Sequence, residues 1–246
     1  MIASLPMYAR PELEAAHARY WVLIRDGLRK RGMTAPDRLT LGADERDTWH
    51  DPGLVLSQTC GLPYRRWLHG SVQLVGTPDY GVDGCPAGWY RSAVICRKDE
   101  RASTLAEFCG SVLAFNSEDS ESGFSAIMSQ ADRQGVAFGD RIKTGAHLRS
   151  ADAVAQGKAE LAAIDAVSWR LMERYDDVTT DLRVAFWSKP TPGLPYIAAP
   201  GVDVVSLRAA IESALQQLTP TDRDALGIVG LERISPQLYL DMDDND

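Results

Sequence analysis

Short apolar runs alternate with stretches of helical spacing along most of the chain. Short apolar or β-branched runs predict strands, and apolar positions three or four residues apart predict amphipathic helices. The helix over 11–31 has the clearest pattern, since Leu13, Ala16 and Tyr20 recur at helical spacing and Pro11 suits a first turn. The predicted strands are 2–6, 54–56, 72–75, 90–96, 111–115, 141–144, 159–165, 182–187 and 196–199, and the predicted helices are 11–31, 65–69, 104–108, 123–133, 151–156 (capped by Ser150), 167–175 and 204–218.

The alternation of strands and helices is typical of an α/β fold built from βαβ units, with mainly parallel sheets flanked by helices. Two Gly- and Pro-rich stretches interrupt it, "TPDYGVDGCPAGW" at 77–89 and "SKPTPGLP" at 188–195, which we interpret as loops that form two hinge crossings. The sequence therefore predicts two lobes with a ligand cleft between them. Residues 1–77 and 187–246 form the discontinuous first lobe, and residues 78–186 form the second.

Composition and charge narrow the functional classes. The chain has 246 residues, 45% of them hydrophobic, which is enough for a sizeable core. No apolar run approaches the roughly 18 residues of a membrane span. The formal net charge of -8 argues against a nucleic-acid binder, although local N–H groups can still hold a small anion. The start "MIASLPMYARPE" has no basic and no apolar leader region, so we expect a cytoplasmic protein if the chain is complete. We interpret the acidic tail "DMDDND" as a solvated chain end.

Four cysteines occur without the spacing of a metal site: Cys60, Cys85, Cys96 and Cys109. Small buried hydrophobes are the simpler interpretation. A disulfide, foremost between Cys60 and Cys85, is the alternative and requires an oxidising compartment. Cys60 could also be a nucleophile with His69 or His147 as base, but no cysteine-hydrolase, Walker A or GxGxxG motif is present. We expect no enzyme activity, no metal and no cofactor.

The stretch "NSEDSESGFSAI" at 116–127 is the foremost candidate for binding chemistry. If Ser120 or Ser122 is the N-cap of the helix, position N3 is Gly123 or Ser125, and neither is the Glu or Gln of a capping box. The first N–H groups would then be available to a ligand, and Gly123 would let a tetrahedral anion approach the backbone. An ordinary capped helix is the simpler alternative.

Three acids share this turn: Glu118, Asp119 and Glu121. Acids near a helix N-terminus are favoured by its dipole. For an anion site, however, they must point away from the ligand, or the ligand must carry positive charge as well.

Other polar and aromatic side chains follow predicted strands. His147 is either a structural histidine or a donor to a phosphoryl oxygen, stronger when protonated. Asp165 is either a helix cap or a cleft carboxylate that pairs with a ligand cation. Tyr8 and Tyr80 are either packing residues or an apolar wall with phenolic donors. Two more potential donors precede the turn at 60–61: Gln58 and Thr59.

Six stretches together resemble one family. They are "SLPMY" at 4–8, "QTCGLP" at 58–63, "GTPDYGVDGCPAGWYRS" at 76–92, "FNSEDSESGF" at 115–124, "KTGAH" at 143–147 and "LAAIDAVSW" at 161–169. Their order and spacing resemble the phosphate/phosphite/phosphonate substrate-binding proteins of ABC transporters over about residues 8–200.

The resemblance implies a type II periplasmic-binding fold and a normally exported, monomeric clamp that closes on a small oxyanion without chemistry. It implies an ABC permease as a partner and a small anionic or zwitterionic ligand, whose ammonium group, if present, meets Asp165. The ligand-binding residues that we predict are Tyr8, Gln58, Thr59, Tyr80, Ser120, Ser122, Gly123, Phe124, His147 and Asp165. The alternatives are a cytosolic sensor or buffer on the same fold, favoured by the missing leader, and the less supported cysteine hydrolase.

Overall fold

The structure is a computed structural model, and it describes residues 1–242. The chain divides into two compact units, which are described separately. Unit 1 comprises Met1–Asp83, Ala87–Trp89 and Pro192–Leu240, and unit 2 comprises Gly84–Pro86, Tyr90–Thr191 and the chain from Asp241. Apart from its first two residues, the acidic tail lies outside the described residues.

The strands of the described chain are β1 (Ile2–Ser4), β2 (Leu54–Gln58), β3 (Gln73–Asp79), β4 (Trp89–Tyr90), β5 (Ser92–Arg97), β6 (Leu113–Phe115), β7 (Arg141–Lys143), β8 (Leu161–Asp165), β9 (Leu182–Trp187), β10 (Thr191–Pro192), β11 (Tyr196–Ala198) and β12 (Gly230–Glu232). The α-helices are α1 (Glu14–Lys30), α2 (Glu45–His50), α3 (Gly61–Pro63), α4 (Ala126–Gln134), α5 (His147–Ala155), α6 (Ala166–Tyr175), α7 (Val204–Gln217), α8 (Pro220–Leu226) and α9 (Pro236–Leu240). Single turns of 3-10 helix occur at Pro11–Leu13, Leu105–Phe108 and Asp177–Asp181, and π-helical turns at Tyr64–Leu68 and Glu121–Ser125.

Unit 1 is built on a five-stranded sheet in the order β1-β2-β11-β3-β12. Strands β1 and β2 are parallel, whereas β11 is antiparallel to both β2 and β3. Helices α1 and α7 pack against each other, and a Cβ placed on Gly27 would lie 3.2 Å from the Cβ of Ala210. This close approach buries the apolar stripe of α1, which explains why the helical spacing in 11–31 was so clear.

Unit 2 is built on a second five-stranded sheet in the order β7-β6-β8-β5-β9. Strand β6 is parallel to β7 and β8, and β5 is antiparallel to β8 and β9. Alternate residues of β5 serve two cores, since Ile95 packs with Trp169 on one face and Val94 packs with Phe108 on the other. The burial of both faces explains why these strands are continuous apolar runs in the sequence.

The prediction of mainly parallel sheets is wrong in both units. In unit 1 only the β1–β2 pair is parallel, and in unit 2 half of the strand pairs are antiparallel. The reversed strands β5 and β11 follow the two crossings. A parallel connection needs a long crossover, usually through a helix. Because no helix precedes β5 or β11 after its crossing, each strand can enter its sheet antiparallel.

The two Gly- and Pro-rich crossings are not loops throughout. Strand β3 extends to Asp79, and β4 and β10 form a separate two-stranded sheet. Glycine-rich composition marked the turns between these strands but not the short strands themselves. The sequence analysis also missed α2, α8, β12 and α9, which are short elements with few apolar positions.

All four cysteines are free thiols, so the disulfide alternative is wrong. Cys96 is buried, as expected of a small hydrophobe, but Cys109 is exposed, and Cys60 and Cys85 are half-buried. Within residues 1–242, no helix is long and apolar enough to cross a membrane. The same residues contain no cluster of three or more His, Cys, Asp or Glu side chains that could hold a metal ion.

Candidate functional site

In unit 2, polar side chains collect where three strands end. Strands β6, β7 and β8 run in the same direction and end at Phe115, Lys143 and Asp165. The carboxyl ends of parallel strands meet at one edge of a sheet, which is where ligands of α/β folds usually bind. The turn before α4, the start of α5 and the start of α6 all follow these strand ends.

The helix after β6 begins with an ordinary serine cap. Ser120 is the N-cap, and its Oγ accepts a hydrogen bond of 3.0 Å from the backbone N–H of Gly123. The first turn, Glu121–Ser125, is π-helical, with the Ser125 N–H bonded to the Ser120 carbonyl at 3.0 Å. One of the first N–H groups is thus occupied by the cap. The helix also starts two residues before the predicted position, and single π-turns of this kind are frequent at functional sites.

The second serine of the turn is linked to the histidine predicted from the "KTGAH" stretch. Ser122 Oγ lies 3.2 Å from His147 Nε2, and the hydroxyl of Ser92 donates to the Ser122 carbonyl at 2.9 Å. His147 is the first residue of α5 rather than a loop residue, because Ala146 is the extended N-cap of that helix. Ser150, the predicted cap, lies within α5 and bonds to Thr144 at 2.7 Å.

Gly123 is the point on which the turn, Asn116 and α5 converge. A Cβ at this position would overlap Asn116 Oδ1 and would lie 3.1 Å from His147 Cε1. Asn116 Oδ1 is buried and makes no hydrogen bond with the described residues, whereas the His147 ring interacts with the Ala163 backbone. Buried polar atoms normally have a partner, so Asn116 Oδ1 marks a place for polar recognition. Asn116 opens the stretch that the sequence analysis singled out, but its own side chain was not selected.

Burial determines the protonation of His147. It lowers the pKa of His147 from 6.5 to about 4, because the charged imidazolium is poorly solvated there. The ring is therefore neutral near pH 7. The stronger, protonated donor considered from the sequence is not the form present in the folded protein at that pH.

Two of the predicted residues in unit 2 have structural partners. The Phe124 ring packs 4.7 Å from the Phe115 ring, centroid to centroid. Asp165, which is 2% exposed, is the N-cap of α6, and its Oδ1 accepts from the N–H groups of Val167 and Ser168 at 2.8 and 2.9 Å. The helix-cap alternative for Asp165 is therefore correct.

The acids of the turn have different surroundings. Glu118 is exposed and forms an ion pair with Lys143, whose ammonium group lowers the pKa of Glu118. Glu121 does not project to solvent, because it is only 3% exposed. It lines a cavity of about 290 Å³ in unit 2 together with Arg133 and Lys189. Cationic side chains on the same cavity offset part of the cost of burying this carboxylate.

In unit 1 the structure brings three of the four predicted residues together. The Tyr8 and Tyr80 rings meet edge to face with centroids 4.9 Å apart. The side-chain amide of Gln58 donates to the Tyr80 hydroxyl at 3.3 Å and to the Leu194 carbonyl at 3.0 Å. Thr59 is fully buried, and its N–H donates to the Pro195 carbonyl at 3.1 Å. Like the groups of unit 2, these side chains follow the carboxyl ends of strands: β1, β2 and β3.

A family model described as the phosphonate, periplasmic substrate-binding protein of ABC transporters matches residues 69–239. The chain belongs to this family. Members of the family bind a small ligand and work with an ABC permease, so this protein has a ligand-binding role for an importer. No curated protein matches the sequence.

Solved structures of the same fold include binding proteins for several anions. The chain resembles PhnD1 of Prochlorococcus marinus in complex with methylphosphonate (TM-score 0.74, 16% identity, 97% of this chain and 94% of that chain covered). It also resembles XAC2383 of Xanthomonas citri bound to ATP (TM-score 0.71, 17% identity, 97% of this chain and 92% of that chain covered). A third similar structure is the periplasmic aliphatic sulphonate binding protein SsuA of Escherichia coli (TM-score 0.61, 16% identity, 98% of this chain and 83% of that chain covered). At these identities the likeness establishes the periplasmic-binding-protein-like fold alone.

The first prediction concerns the contact at Gly123. Gly123→Ala should lower the free energy of unfolding by about 2 kcal/mol, because the new methyl group overlaps Asn116 Oδ1. Adding Asn116→Ala should remove part of this cost, so the double variant should be more stable than the sum of the two single effects predicts. Urea unfolding of the four proteins measures this coupling. Gly230→Ala is the control, since its nearest neighbour would be at 3.7 Å. Strictly additive effects would contradict the assigned contact.

The second prediction concerns the pH dependence of stability. Between pH 6.5 and 4, the unfolded chain binds a proton at His147 and the folded chain does not, so acid lowers the stability of the folded state. Over this window, His147 lowers the free energy of unfolding by about 3 kcal/mol. His147→Gln should therefore gain about that much relative to the unmodified protein as the pH falls from 7 to 4. Urea unfolding across this range, with exposed His50→Gln as the control, tests it. If the difference in stability between His147→Gln and the unmodified protein did not change with pH, the assignment of His147 as a buried, neutral residue would be refuted.

Proposed function

We propose that this substrate-binding protein captures a small phosphorus oxyanion, phosphonate- or phosphate-like, in the cleft predicted between its two lobes, and delivers it to the permease chemically unchanged. The observation that carries the proposal is the buried helix start at 120–125. Gly123 there lets Asn116 and His147 pack against the turn, next to the point where Ser122 and His147 meet. Uncharged donors at a helix N-terminus suit a small oxyanion.

The donors of unit 2 hold the anion by hydrogen bonds rather than by a counter-ion. The hydroxyl of Ser122 can turn from His147 towards a ligand oxygen, because a serine hydroxyl rotates freely. The neutral His147 ring carries a single N–H and also interacts with the Ala163 backbone, so it orients Ser122, and Asn116 can donate from its amide nitrogen. Hydrogen bonds to an ionised acceptor are stronger than neutral ones, and the positive end of the helix dipole adds to them.

In unit 1, we assign the contact with the ligand to the two tyrosines and a supporting role to Gln58 and Thr59. The Gln58 amide donates to the Tyr80 hydroxyl and thereby orients the phenol. Tyr8 packs on the Tyr80 ring and supplies an apolar wall. Both polar side chains behind them are almost fully buried. They therefore position the tyrosines and the strand ends.

Binding without chemistry is supported by the family, which is the substrate-binding component of a transporter. The PhnD1 complex with methylphosphonate favours a phosphonate for this chain too, whereas the sulphonate-binding and ATP-bound relatives show that the fold serves other anions. We expect a monomer, since the clamp needs only its own two lobes.

The oxyanion hypothesis predicts stabilisation by its true ligand. Thermal shift and titration calorimetry should show binding of methylphosphonate, phosphite or phosphate, since a ligand that binds only the folded state stabilises it. Ser122→Ala should weaken the affinity about tenfold by removing one charge-assisted hydrogen bond. Ser103→Ala, at an exposed serine of the same unit, is the control. The hypothesis fails if none of these oxyanions binds while a neutral or cationic compound does.

A second test asks whether the ligand also carries an amine. Asp165→Asn keeps an oxygen to cap α6 but removes the charge, so the fold should persist. The variant should bind 2-aminoethylphosphonate about tenfold more weakly and ethylphosphonate unchanged, if Asp165 meets the ammonium group. Asp132→Asn, at an exposed position of α4, is the control. Equal losses for the two phosphonates would limit Asp165 to its role as a helix cap.

A further inference from the structure

Unit 1 contains a cavity of about 720 Å³ that includes none of the ligand-site residues. The chain after β1, helix α1 and the segment at 37–42 surround it. Its volume lies within the range of small-molecule sites, roughly 300–1,000 Å³. No part of the phosphonate-binding proposal accounts for it.

One side of the cavity is apolar. Ala18, Trp21 and Val22 line it from α1, and Leu39 and Leu41 line it from the facing segment. Val22 is 38% exposed and Leu41 is 64% exposed, although both adjoin the same recess. The indole N–H of Trp21 donates to the Pro36 carbonyl at 3.1 Å, which joins the helix to that segment. A ligand with an apolar body would remove this exposed surface from water.

The polar lining of the cavity leaves one cationic side chain for an anion. Arg10, Arg25 and Arg38 line it together with two carboxylates, Glu14 and Asp37. Three of these groups are paired with residues outside the lining: Arg10 with Glu12, Arg25 with Asp26 and Asp37 with Arg29. Among the arginines of the lining, Arg38 alone has no ion pair with a described residue.

Two polar side chains of the lining can form hydrogen bonds with a ligand. The Arg38 guanidinium acts on Asp37 through its charge, and no hydrogen bond joins it to a described residue. His17 also lines the cavity, and burial lowers the pKa of its ring from 6.5 to about 4. His17 is therefore a neutral hydrogen-bonding group near pH 7 and does not add to the charge.

We propose that this cavity is a second ligand site, which takes an amphipathic organic anion. The apolar body of the ligand packs against Trp21, Val22 and Leu41, and its carboxylate or sulfonate binds the Arg38 guanidinium. A planar guanidinium can bind such a group with two parallel hydrogen bonds. The proposal is independent of the phosphonate site, because the two sites share no residue.

The test uses the full-length chain and 8-anilinonaphthalene-1-sulfonate, whose fluorescence rises in an apolar site. We expect saturable binding that decanoate displaces and that decanol and decyltrimethylammonium displace at least about tenfold less well. Arg38→Gln should weaken decanoate about tenfold, and Ala18→Trp, which fills the recess from an exposed position, should abolish binding. The matched controls are Arg31→Gln and Ala15→Trp, at exposed positions outside the lining, which should bind as the unmodified protein does.

Two further measurements test whether decanoate binds in this cavity and not at the phosphonate site. Leu41→Asp puts a negative charge at the exposed edge of the cavity and should weaken decanoate without a loss of thermal stability. Saturating methylphosphonate and the Ser122→Ala variant should leave decanoate binding unchanged, which separates the two sites. Absence of saturable binding, equal displacement by decanol, or binding that survives Ala18→Trp would overturn the proposal.

Discussion

The packing of Asn116 and His147 against Gly123 is the constraint on which the candidate site depends. Only a residue without a Cβ fits between the end of β6 and the start of α5. This packing brings the first turn of one helix within hydrogen-bonding distance of the first residue of another, so Ser122 meets His147. It also leaves the buried Asn116 Oδ1 without a hydrogen bond to the described residues at the same place. The geometry of the turn and its capacity for recognition thus have one steric origin.

An acidic protein can bind an anion at such a place because the donors are local and uncharged. The serine hydroxyls and N–H groups act over short distances, where water is excluded, while the surface charges of the chain are screened by solvent. Burial keeps His147 neutral, so no titration of its ring would alter binding near pH 7. Of the acids of the turn, Glu118 is paired with Lys143, and Glu121 lines a cavity that also includes cationic side chains.

Much of the fold followed from local patterns. The helix over 11–31, the strand at 182–187 and the helix near 204–218 were predicted within a few residues, because their apolar positions repeat with a single period. The orientations of β5 and β11 could not be predicted in this way. A strand shows the same apolar run whether its neighbour is parallel or antiparallel. Short elements such as α8 and β12 offered too few apolar positions to reveal a period.

The sequence by itself determined the α/β class and the ligand-binding family, and it singled out the turn at 116–127 as the candidate for anion recognition. Each of these depends on residue types and spacings that lie close together along the chain. The tertiary structure alone decided that Asn116 approaches Gly123, that Glu121 is buried and that His147 is neutral. It also assigned Asp165 to a helix cap and formed the cavity beside α1. These features arise from contacts between segments distant in the chain and from the exclusion of water, and no local pattern encodes either.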